Sequence, residues 1–78
     1  MDIVEQSAVL FARIYKDILN GIFNALKRFS FMNKSNNLLI FLEYCEYIEL
    51  YKKVKQKYDE CISFLTFRKI TLNQEILI

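Results

Sequence analysis

Between Leu38 and Leu65 an apolar or aromatic side chain recurs at alternating steps of four and three residues: Ile40, Tyr44, Tyr47, Tyr51, Val54, Tyr58, Cys61 and Leu65. Seven residues make nearly two turns of α-helix, so this rhythm returns each side chain to one face. The spacing predicts a helix over 38–67. Its acidic residues come first (Glu43, Glu46, Glu49) and its lysines follow (Lys52, Lys53, Lys55, Lys57). That order suits the helix dipole, and Glu49 with Lys53 has the i,i+4 spacing of a favourable pair.

The same rhythm occupies residues 2–30, through Val4, Ala8, Phe11, Tyr15, Ile18, Ile22, Ala25 and Phe29. Leu10, Ile14, Leu19, Phe23 and Leu26 widen the stripe on both sides. Arg13, Lys16, Asp17, Asn20, Asn24 and Lys27 take the opposite side. Asp2 followed three residues later by Glu5 reads as an N-cap in an Asp version of the capping box. Lys27 and Arg28 are placed to complement the dipole at the other end. Asn20-Gly21 is also a helix-ending pair, with glycine able to take a left-handed conformation. The apolar period crosses it without a change of phase, and an interior glycine costs only about 1 kcal/mol relative to alanine. One continuous helix is therefore expected.

Residues 31–37 contain Asn33, Lys34, Ser35, Asn36 and Asn37, whose side chains compete with helix by bonding to nearby backbone. Ser35, Asn36 or Asn37 would serve as the next N-cap. So short a connection makes two helices antiparallel neighbours, and would bring Asp17 near Lys52 or Lys53. The tail, 68–78, has two readings. Lys69-Ile70-Thr71-Leu72 alternates like a strand, whereas Thr71 and Gln74 have capping-box spacing for a short last helix. Ile76, Leu77 and Ile78 make a tail that packs on the hairpin or on a partner. The fold expected is all-α: one domain, 1–78, an antiparallel hairpin of two long amphipathic helices with a short C-terminal segment.

Composition sharpens this picture. Of the 78 residues 54% are apolar and 26% charged, with one glycine and no proline, which favours long helices over disorder or a turn-rich β fold. The net charge of +2 is spread among both signs and gives no bulk argument for nucleic acid. The heavy use of lysine, isoleucine, asparagine, phenylalanine and tyrosine fits an AT-rich coding sequence, as in a virus, a phage, a parasite or a low-GC bacterium. The acidic start, Met1-Asp2-Ile3-Val4-Glu5, lacks the features of a secretory signal, and no run approaches the roughly 20 apolar residues of a membrane span. A soluble, cytoplasmic protein is expected.

Chemistry is sparse. Cys45 and Cys61 would lie about 24 Å apart along one helix, too far for a disulfide within the chain. With no histidine present, their spacing makes no zinc site. They read as small buried hydrophobes in a reducing compartment, with an intersubunit disulfide as the alternative. Glu43, Glu46 and Glu49 read as solvated surface, and neither cysteine has a histidine base to activate it. No catalytic residue, metal ligand or cofactor site is assigned, and the chain is expected not to be an enzyme.

What remains is surplus apolar surface. A two-helix seam needs a narrow stripe, yet both helices carry an apolar arc nearer half the circumference. A hairpin should leave Phe11, Phe23, Phe41, Ile48, Ile62 and Phe64 seeking cover. Three solutions exist: two hairpins paired in a four-helix bundle, a chain bent at Gly21 into a closed globule, or docking on a larger partner. Self-association comes first, because closed two-fold dimers are the commonest arrangement. The expected role is a small regulator, inhibitor or adaptor acting through an aromatic-rich helical surface. Candidate interface residues are Phe11, Tyr15, Ile18, Ile22, Phe23, Phe41, Tyr44, Tyr47, Ile48, Tyr51, Tyr58 and Ile62. The alternative is a nucleic-acid-binding dimer that uses Lys52, Lys53, Lys55 and Lys57 between Tyr51 and Tyr58. Membrane-surface binding by the first helix ranks last, since Asp2, Glu5 and Asp17 oppose anionic lipid.

Overall fold

The computed structural model describes residues 1–32 and 38–72, apart from the side chains at 30–32 and 40. Two helices of 30 residues each, α1 (Ile3–Met32) and α2 (Leu38–Phe67), form an antiparallel hairpin. Phe29 near the end of α1 meets Tyr44 and Tyr47 near the start of α2, while Val9 and Ala12 meet Leu65 at the opposite end. The expected N-caps of α2 at Ser35, Asn36 or Asn37, the Ile40 side chain in the seam, and the pairing of Thr71 with Gln74 lie outside the described residues.

The start of α1 follows the capping-box reading. Asp2 Oδ1 accepts a hydrogen bond from the Glu5 amide at 2.8 Å, and the Asp2 carbonyl accepts one from the Gln6 amide at 2.9 Å. The helix then runs straight through Asn20-Gly21, with Gly21 at negative φ. Its end differs from expectation. It reaches Met32, so Lys27 and Arg28 sit about a turn inside it, and the last turn carries no basic residue. Lys27 Nζ instead lies 4.5 Å from the centre of the Phe23 ring, a cation–π contact along the helix surface.

The end of α2 holds a feature that sequence pattern did not reveal. Lys69 takes φ 58°, the left-handed region. The Lys69 amide donates to the Thr66 carbonyl at 3.0 Å, and the Ile70 amide donates to the Leu65 carbonyl at 2.8 Å. These two bonds are the Schellman motif, with lysine where glycine is usual and with its characteristic apolar contact between Ile70 and Leu65. The stop turns the chain back over α1. Ile70 and Leu72 pack against Val9, Ala12 and Leu65, and Arg13 Nη2 donates to the Leu72 carbonyl at 3.1 Å. Arg68 Nη1 lies 3.3 Å from Glu5 Oε1 and 3.7 Å from Asp2 Oδ2, above the Phe64 ring. The strand-like alternation of 69–72 therefore serves a helix stop and a docked return, and no described residue is in a strand.

Helix period alone misplaced the buried stripe of α1. The residues facing α2 are Ala8, Ala12, Tyr15, Leu19, Ile22, Leu26 and Phe29, with Ala12, Leu19 and Ile22 buried and the others half-buried. Ala8, Tyr15, Ile22 and Phe29 were expected there. Val4 and Ile18 share that rhythm but stay 57% and 41% exposed, and Phe11, on the same rhythm and expected to lack cover, is 52% exposed. Val9, not expected in the stripe, is fully buried in a cluster with Leu65 of α2, against which the tail residues Ile70 and Leu72 also pack. The expected pairing of Glu49 with Lys53 is replaced by Glu49 with Lys52 at 3.7 Å. Lys52 is thus engaged within its own helix instead of with Asp17.

The hairpin does not close on itself. Its extents are 51 × 17 × 16 Å and its radius of gyration is 16.2 Å, whereas a compact chain of this length has about 11–12 Å. A globule folded about Gly21 is not formed.

Two outcomes follow from these local geometries. Within the single hairpin a Cβ on Gly21 would meet nothing within 4 Å, so Gly21→Ala should stabilise it by about 0.5–1 kcal/mol in a thermal melt; destabilisation would show that the position is constrained by a contact outside the hairpin. The hydrogen bond from the Glu5 amide holds the Asp2 carboxyl below its usual value, with Arg68 adding to the effect. A depressed carboxylate stabilises the fold above its unfolded pKa of roughly 3.9, and that contribution disappears as pH falls through the lower folded value. Asp2→Ala should accordingly lower the melting temperature at neutral pH, by an amount that shrinks as pH falls through the folded pKa.

Candidate interaction surface

A helix in a hairpin buries the stripe its neighbour covers, and the positions left over follow from the 100° step per residue. On α1, Val4, Ser7, Phe11, Ile14, Ile18, Gly21 and Ala25 form a second heptad stripe, rotated by about 80° from the buried one. The middle of this stripe is the bulky part: Phe11, Ile14 and Ile18 are 52%, 50% and 41% exposed. Leu10 and Ile3 extend it on the side away from α2, both exposed. The Phe11 ring stacks on Tyr15, with centroids 6.3 Å apart and planes at 25°, which ties the outer stripe to the inner one. No charged residue falls on it from Val4 to Ala25.

The two flanks of α2 differ from this stripe. One carries Glu43, Tyr47, Leu50, Val54 and Lys57, the other Leu38, Phe41, Cys45, Ile48, Lys52, Lys55 and Asp59. Both are charged at several positions. An open depression on the outer side is lined by Leu42, Cys45, Glu46, Glu49, Leu50 and Lys53.

The candidate interface residues divide accordingly. Phe11, Ile18, Phe23, Phe41 and Tyr47 are exposed, and Ile22 is buried. Tyr15, Tyr44, Ile48, Tyr51, Tyr58 and Ile62 are half-buried. Of the six side chains expected to lack cover, Ile62 and Phe64 obtain it from the core around Val9 and Leu65, and Ile48 is half-covered. Phe11, Phe23 and Phe41 do not. Ile14, which sequence reasoning left as a widening of the stripe, stands at the centre of the exposed one. Its spacing of three residues from Phe11 and four from Ile18 was the available signal.

The basic run presents a different surface. Lys52 pairs with Glu49 at 3.7 Å, Lys55 with Asp59 at 2.9 Å and Lys57 with Glu60 at 3.8 Å. The bond to Asp59 raises the Lys55 pKa. The depression there is lined by Tyr51, Lys52, Lys55, Gln56, Asp59, Glu60 and Ser63, a mixture of both signs. Such exposed pairs contribute little to stability, but each carboxylate offsets the field a phosphate would need. Cys45 and Cys61 are free thiols, both half-buried, and burial pushes the Cys61 thiol up. Among the described residues no three histidine, cysteine or acidic side chains gather to hold a metal, and no helix is long and apolar enough to cross a membrane.

No family model, curated protein or solved structure matches the chain.

Because the acidic partners interleave the lysines, Lys52→Glu combined with Lys55→Glu should leave retention of RNA and DNA at low salt unchanged. A clear loss of retention would restore the basic run as a binding surface.

Proposed function

We propose that this chain is a non-enzymatic helical interaction module that works by offering the apolar outer face of α1 to a protein partner. The observation that carries this reading is surplus surface. The chain exposes 6229 Å², whereas a folded monomer of its 9.4 kDa mass exposes about 5,000 Å². The difference, about 1,200 Å², is close to what one subunit buries in a permanent dimer, about 1,000 Å² or more. Part of the exposed apolar surface is a contiguous stripe of α1, with Val4, Phe11, Ile14 and Ile18 uncovered and no charge among them, the composition that the centres of protein interfaces favour. Pairing of two hairpins in a four-helix bundle is the simplest arrangement that covers it. A regulatory, inhibitory or adaptor role suits a chain that presents such a surface.

Affinity capture from the native cell, with the wild-type chain and Ile14→Glu as parallel baits, tests the interaction reading. The expected result is a stoichiometric protein, either another copy or a different chain, retained by the wild type and lost with the variant. Equal retention by both baits would remove the α1 face from the mechanism.

A further inference from the structure

Resting on that interaction reading, we infer that the outer stripe of α1 is a self-recognition surface, occupied by the same stripe of a second copy in an antiparallel, two-fold α1–α1 contact. Three observations select this occupant. First, the stripe repeats at alternating steps of three and four over Val4, Ser7, Phe11, Ile14, Ile18, Gly21 and Ala25, and a 3.5-residue apolar period is matched by another helix packing knobs into holes. Second, there is area to cover. The whole chain exposes about 1,200 Å² more than a compact monomer of its mass, and Val4, Phe11, Ile14 and Ile18, at 57%, 52%, 50% and 41% exposed, are part of it.

Third, charge selects the helix. Glu43 and Lys57 interrupt one flank of α2, and Lys52, Lys55 and Asp59 interrupt the other. Within the hairpin, the face that meets the α1 stripe without burying a charge is the α1 stripe of a second copy. An antiparallel register that sets Phe11 against Ile14 of the other copy also brings Ser7 to Ile18 and Val4 to Gly21. Ser7 and Gly21 then each receive a branched residue, and Asp17 falls beside Leu10 instead of facing another acid. Gly21 has the room for this, since the space above its Cα is open in the single hairpin. An isologous contact of this kind closes on itself and leaves no second copy of the face exposed.

The test is the mass of the purified chain by light scattering over a dilution series. The wild type is expected at twice the 9.4 kDa of one chain. Ile14→Glu and Ile14→Lys should each fall to the single-chain mass with their far-ultraviolet helical signal retained. An equal mixture of the two should recover the double mass, because position 14 lies close to its own counterpart across the two-fold axis. Phe23→Glu, at a half-exposed position on the far flank of α1, should stay dimeric. Should either charged variant lose helical signal, Ile18→Ala gives the same answer as at least a tenfold weakening of association. A wild type at single-chain mass at every concentration overturns the second-copy occupant, even where Ile14-dependent capture of another protein leaves the interaction reading intact. A dimer that survives both charged variants, or a mixture that stays monomeric, overturns the α1–α1 contact.

Discussion

One neighbouring helix covers only part of another's circumference, and the apolar arc of α1 is wider than that part. From Ala12 on one edge to Ile14 on the other it spans about 160° of the helix surface. Packing against α2 takes one edge, Ala12, Leu19 and Leu26, together with the shared positions Ala8, Tyr15, Ile22 and Phe29. The opposite edge, Phe11, Ile14 and Ile18, is left in contact with water. The elongated form, the small fully buried core and the surplus surface all follow from this mismatch. Among the described residues only Val9, Ala12 and Leu65 are almost wholly enclosed, and a chain of this length starts near the limit of what a lone core can hold.

The C-terminal return reinforces this arrangement at the Val9 end of α1. The left-handed turn at Lys69 sends Ile70 and Leu72 back across α1 on the Val9 side. Arg13 and Arg68 then tie this return to α1, through the Leu72 carbonyl and through Glu5 and Asp2. Each of these ion pairs is exposed and worth at most about 1 kcal/mol. Their effect is directional: they hold the tail on one flank, and the other flank remains the open one. The Lys69 backbone, strained for a residue with a Cβ, persists because the Ile70–Leu65 contact and two amide bonds fix it. Local strain, tail placement and the location of the open face are thus one connected arrangement.

The polar surface is organised differently. Along the second half of α2, each of three lysines meets a carboxylate three or four residues away, which neutralises the run without locking it. The apolar stripe of α1 is the more distinctive surface because it lacks any such interleaving. A face with no charge on it can be covered without desolvating an ion, whereas covering either flank of α2 would desolvate one.

The sequence by itself determined the element types and most of their limits. The α2 bounds, the Asp2 cap and the passage of α1 through Gly21 are local matters, set by period, capping chemistry and the small penalty of an interior glycine. It also determined that the arc was too wide for a hairpin, because the count of apolar positions per turn is a property of the chain alone. Which slice of the arc faces inward was decided only by the tertiary structure. Val4, Phe11 and Ile18 share the rhythm of the buried residues, and a 3.6-residue period cannot distinguish two stripes about 80° apart. The distinction comes from contacts between residues more than fifty positions apart, Val9 with Leu65 and Arg13 with Leu72. The Lys69 turn was hidden for a related reason: lysine carries no left-handed preference, and its conformation is imposed by what Ile70 packs against.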